Sequence, residues 1–175
     1  DLKVGSINVR GLGDMLKRQE IFYWLKHKNM SIYFIQEAHR TEDKMHYWRA
    51  EWGYQALFSC CSSTKVGVAI LFNNNFSFQV SRTYLILIQT EGRFIISDVS
   101  INGKCITLAN VYASNEDDPN FFISVFDQLV DFKCDEIIID GDFNLVLDVE
   151  KDKKGGIPRS HKKSLEAIQK YSENR

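Results

Sequence analysis

Apolar and polar residues alternate along the chain in a pattern that predicts strands and helices in close succession. The first apolar run predicts a strand over Lys3 to Val9, and the next predicts a helix from about Met15 to His27. A second strand is predicted over Ser31 to Glu37, and a short helix over residues 41–52 with Gly53 as its stop. The first helix is expected to bury an apolar stripe, with lysines and an arginine opposite: Leu16, Ile21, Trp24 and Leu25.

The middle of the chain is rich in short β segments. Between the last two of them, the Asn102-Gly103 pair predicts a tight hairpin, because a type I′ turn needs a positive φ at both central positions. The predicted strands are Tyr54 to Ser59, Gly67 to Asn73, Phe76 to Leu87, Arg93 to Ile101, and Lys104 to Tyr112.

The last third begins with a helix that opens at Pro119 and continues to about Phe132, because proline suits the first helical turn. A strand over Glu136 to Asp140 follows, and a final helix is predicted near Ser160 to Tyr171. The helix that starts at Pro119 has an amphipathic face made of Phe122, Val125, Phe126, Leu129 and Val130.

Hairpins mixed with a few helices favour an α/β sandwich with antiparallel pairing over the strict β-α-β alternation of a Rossmann fold. No glycine-rich phosphate loop follows the first strand, which argues against a nucleotide cofactor. A chain of 175 residues is expected to form one domain, 1–175.

Composition indicates a folded protein, with 44% hydrophobic and 13% aromatic residues, and no apolar stretch is long enough for a membrane span. Residues 150–175 hold eight lysines and arginines against four acidic residues, which leaves the first 149 at a net charge of −5. An acidic body can approach a phosphate backbone if a metal offsets its carboxylates and a basic flank helps to hold it. A solvated helical face explains the basic flank equally well. Because the chain opens Asp1-Leu2-Lys3 without an initiator methionine, we expect a piece of a longer protein.

Four cysteines occur without metal-ligand or redox spacing, at Cys60, Cys61, Cys105 and Cys134. We expect small buried side chains in a reducing compartment.

Candidate chemistry lies where apolar strands end. The run Ile137 to Ile139 leads into Asp140-Gly141-Asp142-Phe143-Asn144, a second strand ends in Gln36-Glu37, and the first carries Asn8 near its end. Strands from well-separated parts of the chain therefore each deliver an Asn, Asp or Glu near their carboxyl ends. This convergence predicts a polar site at one edge of the fold.

Residue types suggest a role for each candidate. Glu37 offers the hard oxygen ligands that suit Mg²⁺. Asp142 could orient or deprotonate a water, and the neutral Asn144 could donate to a phosphoryl oxygen. The alternatives are a surface glutamate after a strand and a turn-forming Asp-Phe-Asn.

Three further residues are candidates. Asn8 is expected to hydrogen-bond a neighbouring carboxylate and fix its orientation. Tyr112 could offer its hydroxyl to a phosphate, with a core aromatic as the alternative. His39, which lies beside Glu37 in the sequence, is a candidate for substrate contact.

Five motifs together resemble the endonuclease/exonuclease/phosphatase superfamily, and more narrowly the endonuclease domain of a non-LTR (LINE-type) retrotransposon polyprotein. The motifs are Ile7-Asn8-Val9-Arg10-Gly11-Leu12, Phe34-Ile35-Gln36-Glu37-Ala38-His39, Gly67-Val68-Ala69-Ile70-Leu71, Asn110-Val111-Tyr112-Ala113 and Gly141-Asp142-Phe143-Asn144. The resemblance implies a four-layer sandwich of two mixed, mostly antiparallel sheets flanked by helices, with the carboxyl-terminal strands missing from this chain.

The same resemblance implies a Mg²⁺-dependent endonuclease that hydrolyses a DNA phosphodiester and leaves a 3′-hydroxyl to prime reverse transcription. Glu37 would be the metal ligand, with Asn8 its neighbour. Asp142 would activate water, Asn144 would contact the transition state and Tyr112 would contact phosphate. DNA would be the partner, a parent polyprotein would supply a reverse transcriptase, and the protein would act inside the cell, in the nucleus.

No residue here matches the catalytic histidine that the family carries in its last strands. We therefore expect the 175-residue chain to have little or no nuclease activity by itself. Two alternatives stay open. One is another phosphodiesterase of the superfamily, an abasic-site nuclease or a phosphatase, and the other is a non-catalytic remnant that binds nucleic acid.

Overall fold

The first sheet of the computed structural model has four strands among the described residues, in the order β1-β2-β4-β3. The structure describes residues 1–38, 45–59, 67–75, 77–85, 92–132, 134–146 and 161–173. Strands β1 and β2 are parallel, and the other two pairings are antiparallel. The strands are β1 (Val4–Asn8), β2 (Ile32–Gln36), β3 (Ala56–Phe58) and β4 (Ala69–Phe72).

The second sheet also has four strands in the described part of the chain, in the order β5-β6-β7-β8. Its first two pairings are antiparallel, and β7 and β8 are parallel. The strands are β5 (Phe78–Leu85), β6 (Phe94–Ile101), β7 (Lys104–Tyr112) and β8 (Glu136–Asp142). Asn102 and Gly103, between β6 and β7, have φ values of 52° and 80°, which confirms the predicted turn.

Helices complete the architecture, so the predicted α/β sandwich of two mixed sheets is confirmed. The carboxylates of Asp14 and Asp118 cap two of the helices by accepting from Lys17 N at 2.8 Å and Phe121 N at 3.2 Å. No helix in the described ranges combines the length and apolar content that crossing a bilayer requires. The helices are α1 (Met15–His27), α2 (Met45–Trp52), α3 (Pro119–Leu129) and α4 (Lys162–Glu173).

The chain divides into two compact units, the first comprising Asp1–Tyr112 and Cys134–Asp142, the second Ala113–Lys133 and Phe143–Arg175. In the first unit the two sheets pack face to face through one buried apolar cluster. Because side chains alternate along a strand, β2 also faces a second cluster, where α1 and α2 cover the first sheet. The cluster between the sheets includes Ile32, Phe34, Ile70, Phe72, Ile95, Val99, Ile106 and Leu108.

In the second unit α3 and α4 pack together, with the rings of Phe126 and Tyr171 stacked at 4.1 Å. Asp117 caps α4 by accepting from Ser164 N at 2.8 Å and from Ser164 Oγ at 2.6 Å. These bonds lower the pKa of Asp117, and the hydrogen bond from the Ser164 hydroxyl has the largest effect.

The buried face of α1 differs from its prediction. Leu16 and Trp24 are 65% and 48% exposed, whereas Phe22 and Arg18 are buried. The Arg18 guanidinium donates to Leu12 O at 2.8 Å and forms a two-pronged ion pair with Glu51 of α2, one bond of which is 2.7 Å. The charge is buried because it is paired across two helices. Val130, which directly follows α3, is likewise exposed rather than part of the buried face.

The prediction of reduced cysteines is wrong for one pair. Cys105 and Cys134 form a disulfide that joins the start of β7 to the segment before β8. Their separation of 29 residues gives no local signal, since the parallel pairing of β7 with β8 is what brings them together. Cys60 and Cys61 lie outside the described residues.

Candidate active site

Four of the predicted side chains meet at the carboxyl ends of four strands in the first unit. Asn8 ends β1 and Glu37 follows β2, its parallel neighbour. Tyr112 ends β7 and is the register partner of Asp142, the last residue of β8. Each sheet therefore contributes one parallel pair of strands, and the polar ends of both pairs face each other.

Asn8 joins the two carboxylates. Its amide Nδ2 donates to Glu37 Oε1 and to Asp142 Oδ2, each at 2.8 Å. The backbone N–H of Arg10 donates to Asn8 Oδ1 at 3.1 Å, which requires the amide nitrogen to face the acids. Asn8 thus holds the two carboxylates in place without adding charge, as predicted for a residue that orients an acid.

Glu37 has a backbone conformation that few side chains adopt, with φ of 54°. Flanking hydrogen bonds hold it there: Gly11 N donates to Glu37 O at 2.7 Å, and Ala38 N donates to Gly67 O at 2.9 Å. This turn ends the β2 ladder and directs the carboxylate toward Asn8. Residues held in such conformations concentrate at functional sites.

The Tyr112 hydroxyl donates to Glu37 Oε1 at 3.1 Å. The pKa of Tyr112 is raised to about 12. Burial is the largest cause, followed by the hydrogen bond and negative charge of Glu37 and then the charge of Asp142, whereas Arg93 has the opposite effect. The phenol is therefore protonated at neutral pH and acts as a hydrogen-bond donor.

Asp142 depends on the glycine before it. Gly141 has φ of 142° and pairs with Val111, and a Cβ built on Gly141 would lie 2.0 Å from Val111 O. No side chain fits between these two backbones, so β8 reaches β7 only through glycine. The close approach sets Asp142 opposite Tyr112.

The donor set fits a hard divalent cation. Glu37 Oε1 and Asp142 Oδ2 share one amide donor, so they lie no farther apart than twice its 2.8 Å bonds. Two carboxylates beside a neutral amide and a neutral phenol leave the site negative. Mg²⁺ takes one or two protein carboxylates and completes its shell with water and phosphate oxygens. Glu37 and Asp142 fit that requirement.

Asn144 and His39 complete the set of predicted site residues. Asn144 belongs to the second unit, where its Nδ2 donates to Ala113 O at 2.7 Å and its φ is 49°. Its contact with a transition state stays a prediction. His39 lies outside the described residues.

Sequence analysis missed two buried amides beneath the cluster, Gln36 and Asn110, whose side chains are 1% and 0% exposed. Gln36 Nε2 donates to Asn110 Oδ1 at 2.8 Å. The available signal was an amide at the end of each apolar run, Phe34-Ile35-Gln36 and Leu108-Ala109-Asn110. Buried polar side chains need partners, and Gln36 supplies the donor for the Asn110 oxygen.

No protein-family model matches the chain. A curated protein, the transposon TX1 uncharacterized 149 kDa protein of Xenopus laevis, is 29% identical over 150 residues, which make up 84% of this chain and 11% of that protein. The chain thus spans a small part of that relative's length.

Solved structures match more of the chain. An AP endonuclease from Leishmania major superposes with a TM-score of 0.73 at 15% identity, covering 98% of this chain and 66% of that one. An AP endonuclease from Archaeoglobus fulgidus gives 0.68 at 20% identity, covering 99% and 71%. A 3′ phosphatase, NExo from Neisseria, bound to a product DNA hairpin, gives 0.69 at 19% identity with the same coverage. The chain therefore has the fold of the endonuclease/exonuclease/phosphatase superfamily, as the motifs predicted.

Proposed function

We propose that this chain is the endonuclease domain of a non-LTR retrotransposon polyprotein and that its site hydrolyses a DNA phosphodiester with Mg²⁺. The observation that carries the proposal is the Asn8 amide bound to both Glu37 and Asp142. This amide holds the Glu37 carboxylate, which would bind a metal, and the Asp142 carboxylate, which would bind a water, at one end of the sandwich. Similarity to a transposon protein supports the retrotransposon context.

Each side chain has a distinct task. Asp142 orients the attacking water and takes its proton as the new bond to phosphorus forms. Tyr112, whose phenol is protonated at neutral pH, would donate to a phosphoryl oxygen in place of Glu37. Mg²⁺ held by Glu37 would offset the negative charge of the phosphate in the transition state. Asn8 keeps both carboxylates in position throughout.

Hydrolysis breaks the bond between phosphorus and the 3′ oxygen of one strand, and that oxygen takes a proton from solvent. The nick then carries a 3′-hydroxyl suited to priming reverse transcription. Asn144 would donate to the phosphoryl group, and His39 would contact the substrate.

The wider context is part of the same proposal. A parent polyprotein would supply the reverse transcriptase, and the target DNA would place the protein in the nucleus. The size of the curated relative, of which this chain matches 11%, supports a multidomain parent.

A second candidate function is repair of DNA at abasic sites or removal of terminal phosphates. The structural neighbours include AP endonucleases and a 3′ phosphatase, which supports it. The carboxylate and tyrosine groups described here would serve any of these phosphodiester or phosphomonoester reactions, so the substrate has to be found by experiment.

The first test is Mg²⁺-dependent nicking of supercoiled plasmid by the 175-residue chain and by a version extended along its natural reading frame. We expect the extended protein to nick and the shorter chain to show little activity. Asp142→Ala should lower the rate of the extended protein by about 10²–10⁴-fold, the usual contribution of a general base. Asp127→Ala, an exposed acid on α3, is the matched control and should nick at the wild-type rate.

Two further substrates separate the candidates. Faster cleavage of an oligonucleotide with an abasic site, or release of a terminal 3′-phosphate, would replace the retrotransposon proposal with the second candidate. A folded extended protein that binds DNA but leaves all three substrates intact would contradict both and favour a non-catalytic remnant.

A further inference from the structure

A layer of hydrogen bonds around the buried Gln36 and Asn110 side chains lies between the four site side chains and the apolar cluster that joins the two sheets. Asn110 Nδ2 donates to Ile35 O at 3.0 Å and to Ala69 O at 2.8 Å, and its Oδ1 accepts from Gln36 Nε2 at 2.8 Å. Gln36 Nε2 also donates to Ser6 Oγ at 3.2 Å. Both hydrogens of the Asn110 amide are therefore used, and its oxygen is satisfied.

These bonds run from one sheet to the other. Asn110 belongs to β7, whereas Ile35 and Ala69 belong to β2 and β4 and are register partners in the first sheet. One side chain thus holds the last residue pair of the β2–β4 ladder from the opposite sheet. Apolar contacts are non-directional, but hydrogen bonds weaken steeply with misalignment, so this contact fixes the offset between the sheets.

Each member of the layer lies next to a site residue along its strand. Ser6 is two residues before Asn8 and on the same face of β1, and Gln36 directly precedes Glu37. Asn110 is two residues before Tyr112, and the two pair with Asp140 and Asp142 of β8. A shift of one sheet against the other would move Glu37 relative to Tyr112 and Asp142.

We infer that the Gln36–Asn110 amide pair is a positioning device that sets the distance from Glu37 on the first sheet to Tyr112 and Asp142 on the second. The inference rests on the proposed function only in treating those side chains as one active site. Gln36 and Asn110 touch neither metal nor substrate. They act through the strands that carry the site residues.

The hydrogen bond from Tyr112 to Glu37 reports this geometry without metal or DNA. Labelling with 3-fluorotyrosine and ¹⁹F NMR would follow each phenol, and Tyr112→Phe identifies the Tyr112 signal. The ¹⁹F chemical shift, read at one neutral pH, reports the surroundings of each ring. The variants are Gln36→Met, Asn110→Leu and the two combined.

Asn73→Leu is the matched control. Asn73 is 4% exposed, follows β4 at its other end, and donates to Met30 O at 3.1 Å. Its loss removes a buried amide from the same sheet without touching the site. A general loss of stability would affect this variant as much as the others.

We expect Gln36→Met and Asn110→Leu each to move the Tyr112 ¹⁹F signal toward its position in the unfolded chain as burial and the Glu37 contact are reduced, while Asn73→Leu leaves it unchanged. The combined variant also removes the Gln36 amide that Asn110→Leu leaves unpaired, so its stability should recover in part relative to Asn110→Leu although the Tyr112 signal stays displaced. If Asn110→Leu does not fold, Gln36→Met decides.

The inference is overturned if Gln36→Met leaves the Tyr112 ¹⁹F signal at its wild-type position, if Asn73→Leu shifts it equally, or if the combined variant restores it together with stability. The NMR measurement uses no substrate, so its failure leaves the nuclease proposal intact. An absence of nicking, in turn, leaves the NMR result unchanged.

Discussion

The two ends of the sandwich in the first unit are held together by different chemistry. At the amino ends of β2 and β7, Ile32 and Ile106 belong to the apolar cluster between the sheets. At the carboxyl ends, Glu37 and Tyr112 meet through a directed hydrogen bond above the buried Gln36–Asn110 pair. Apolar packing without a preferred direction holds the amino ends together, whereas individual hydrogen bonds between named atoms hold the carboxyl ends together.

This difference determines what each end tolerates. An apolar core accepts substitutions that keep its volume, since its contacts have no preferred direction. A buried polar network loses much more when one partner is removed, because the remaining partner is left unsatisfied. The site end should therefore be the less tolerant of change, and variants at both ends test this.

The largest effect is expected for Gly141→Ala at the site end. Its Cβ would lie 2.0 Å from the backbone oxygen of Val111, which cannot move without separating β8 from β7. We expect a loss of more than about 4 kcal/mol in the free energy of unfolding, the range of severe backbone clashes, measured by urea denaturation. Gly13→Ala, with no atom within 4 Å of the new Cβ, should change it little. A loss from Gly141→Ala no larger than that of Gly13→Ala would contradict the account of the close approach.

The next largest loss of stability is expected for Arg18→Leu, which removes a buried polar contact away from both ends of the sandwich. It leaves Glu51 and Leu12 O without their donor, and we expect a loss of about 3 kcal/mol, the lower part of the range for breaking a buried pair. The exposed Arg49 provides the control, because Arg49→Leu should have a much smaller effect.

The ion pair of Arg18 with Glu51 also predicts how the free energy of unfolding changes as the pH falls. The hydrogen bond from Arg18 lowers the pKa of Glu51 below its ordinary 4.5 in the folded state. The stabilisation is thus present above pH 4.5 and is lost as pH falls through the folded pKa. Arg18→Leu should flatten this part of the curve, and an unchanged curve would show that the pair does not contribute.

A smaller effect is expected at the apolar end. Ile32→Val removes one methyl group from the cluster between the sheets and should lower the free energy of unfolding by about 1 kcal/mol. The Tyr112 ¹⁹F signal should be unchanged, because the amide layer still sets the offset of the sheets. A shift of the Tyr112 signal would show that packing, rather than the amides, controls the site.

The smallest effect is expected from removing the negative charge of Glu37 beside Tyr112. Glu37→Gln should lower the Tyr112 pKa part of the way from about 12 toward 10.0, because burial, the largest cause, remains. Wild-type stability should fall as pH rises from 10 to 12, where the folded state holds a proton that the unfolded state has released. Titration by ¹⁹F NMR measures the first effect and alkaline unfolding the second. Glu136→Gln, at the exposed start of β8, is the control that should alter neither.

Local patterns sufficed for much of the fold. Alternation and turn chemistry predicted the hairpin at Asn102-Gly103 and the helix start at Pro119, because these depend on neighbours in sequence. The buried face of α1 was misjudged, since Arg18 is buried by a partner on another helix. Local periodicity carries no information about such a partner.

The candidate site shows the same limit. The placement of Asn8, Glu37, Tyr112 and Asp142 at strand ends could be read from the sequence, and the structure brings them together. The pairing of Gln36 with Asn110 spans 74 residues and depends on how two sheets face each other. A single sequence does not contain that relation.

The left-handed backbone at Glu37 has a consequence for protein engineering. Glycine or asparagine adopts that conformation with less strain, so a screen for thermal resistance alone would favour replacing Glu37. The stabilised protein would lack the carboxylate that accepts from Asn8 and Tyr112. Directed evolution of this scaffold therefore needs a selection that includes function, because heat tolerance and the site make opposite demands at this position.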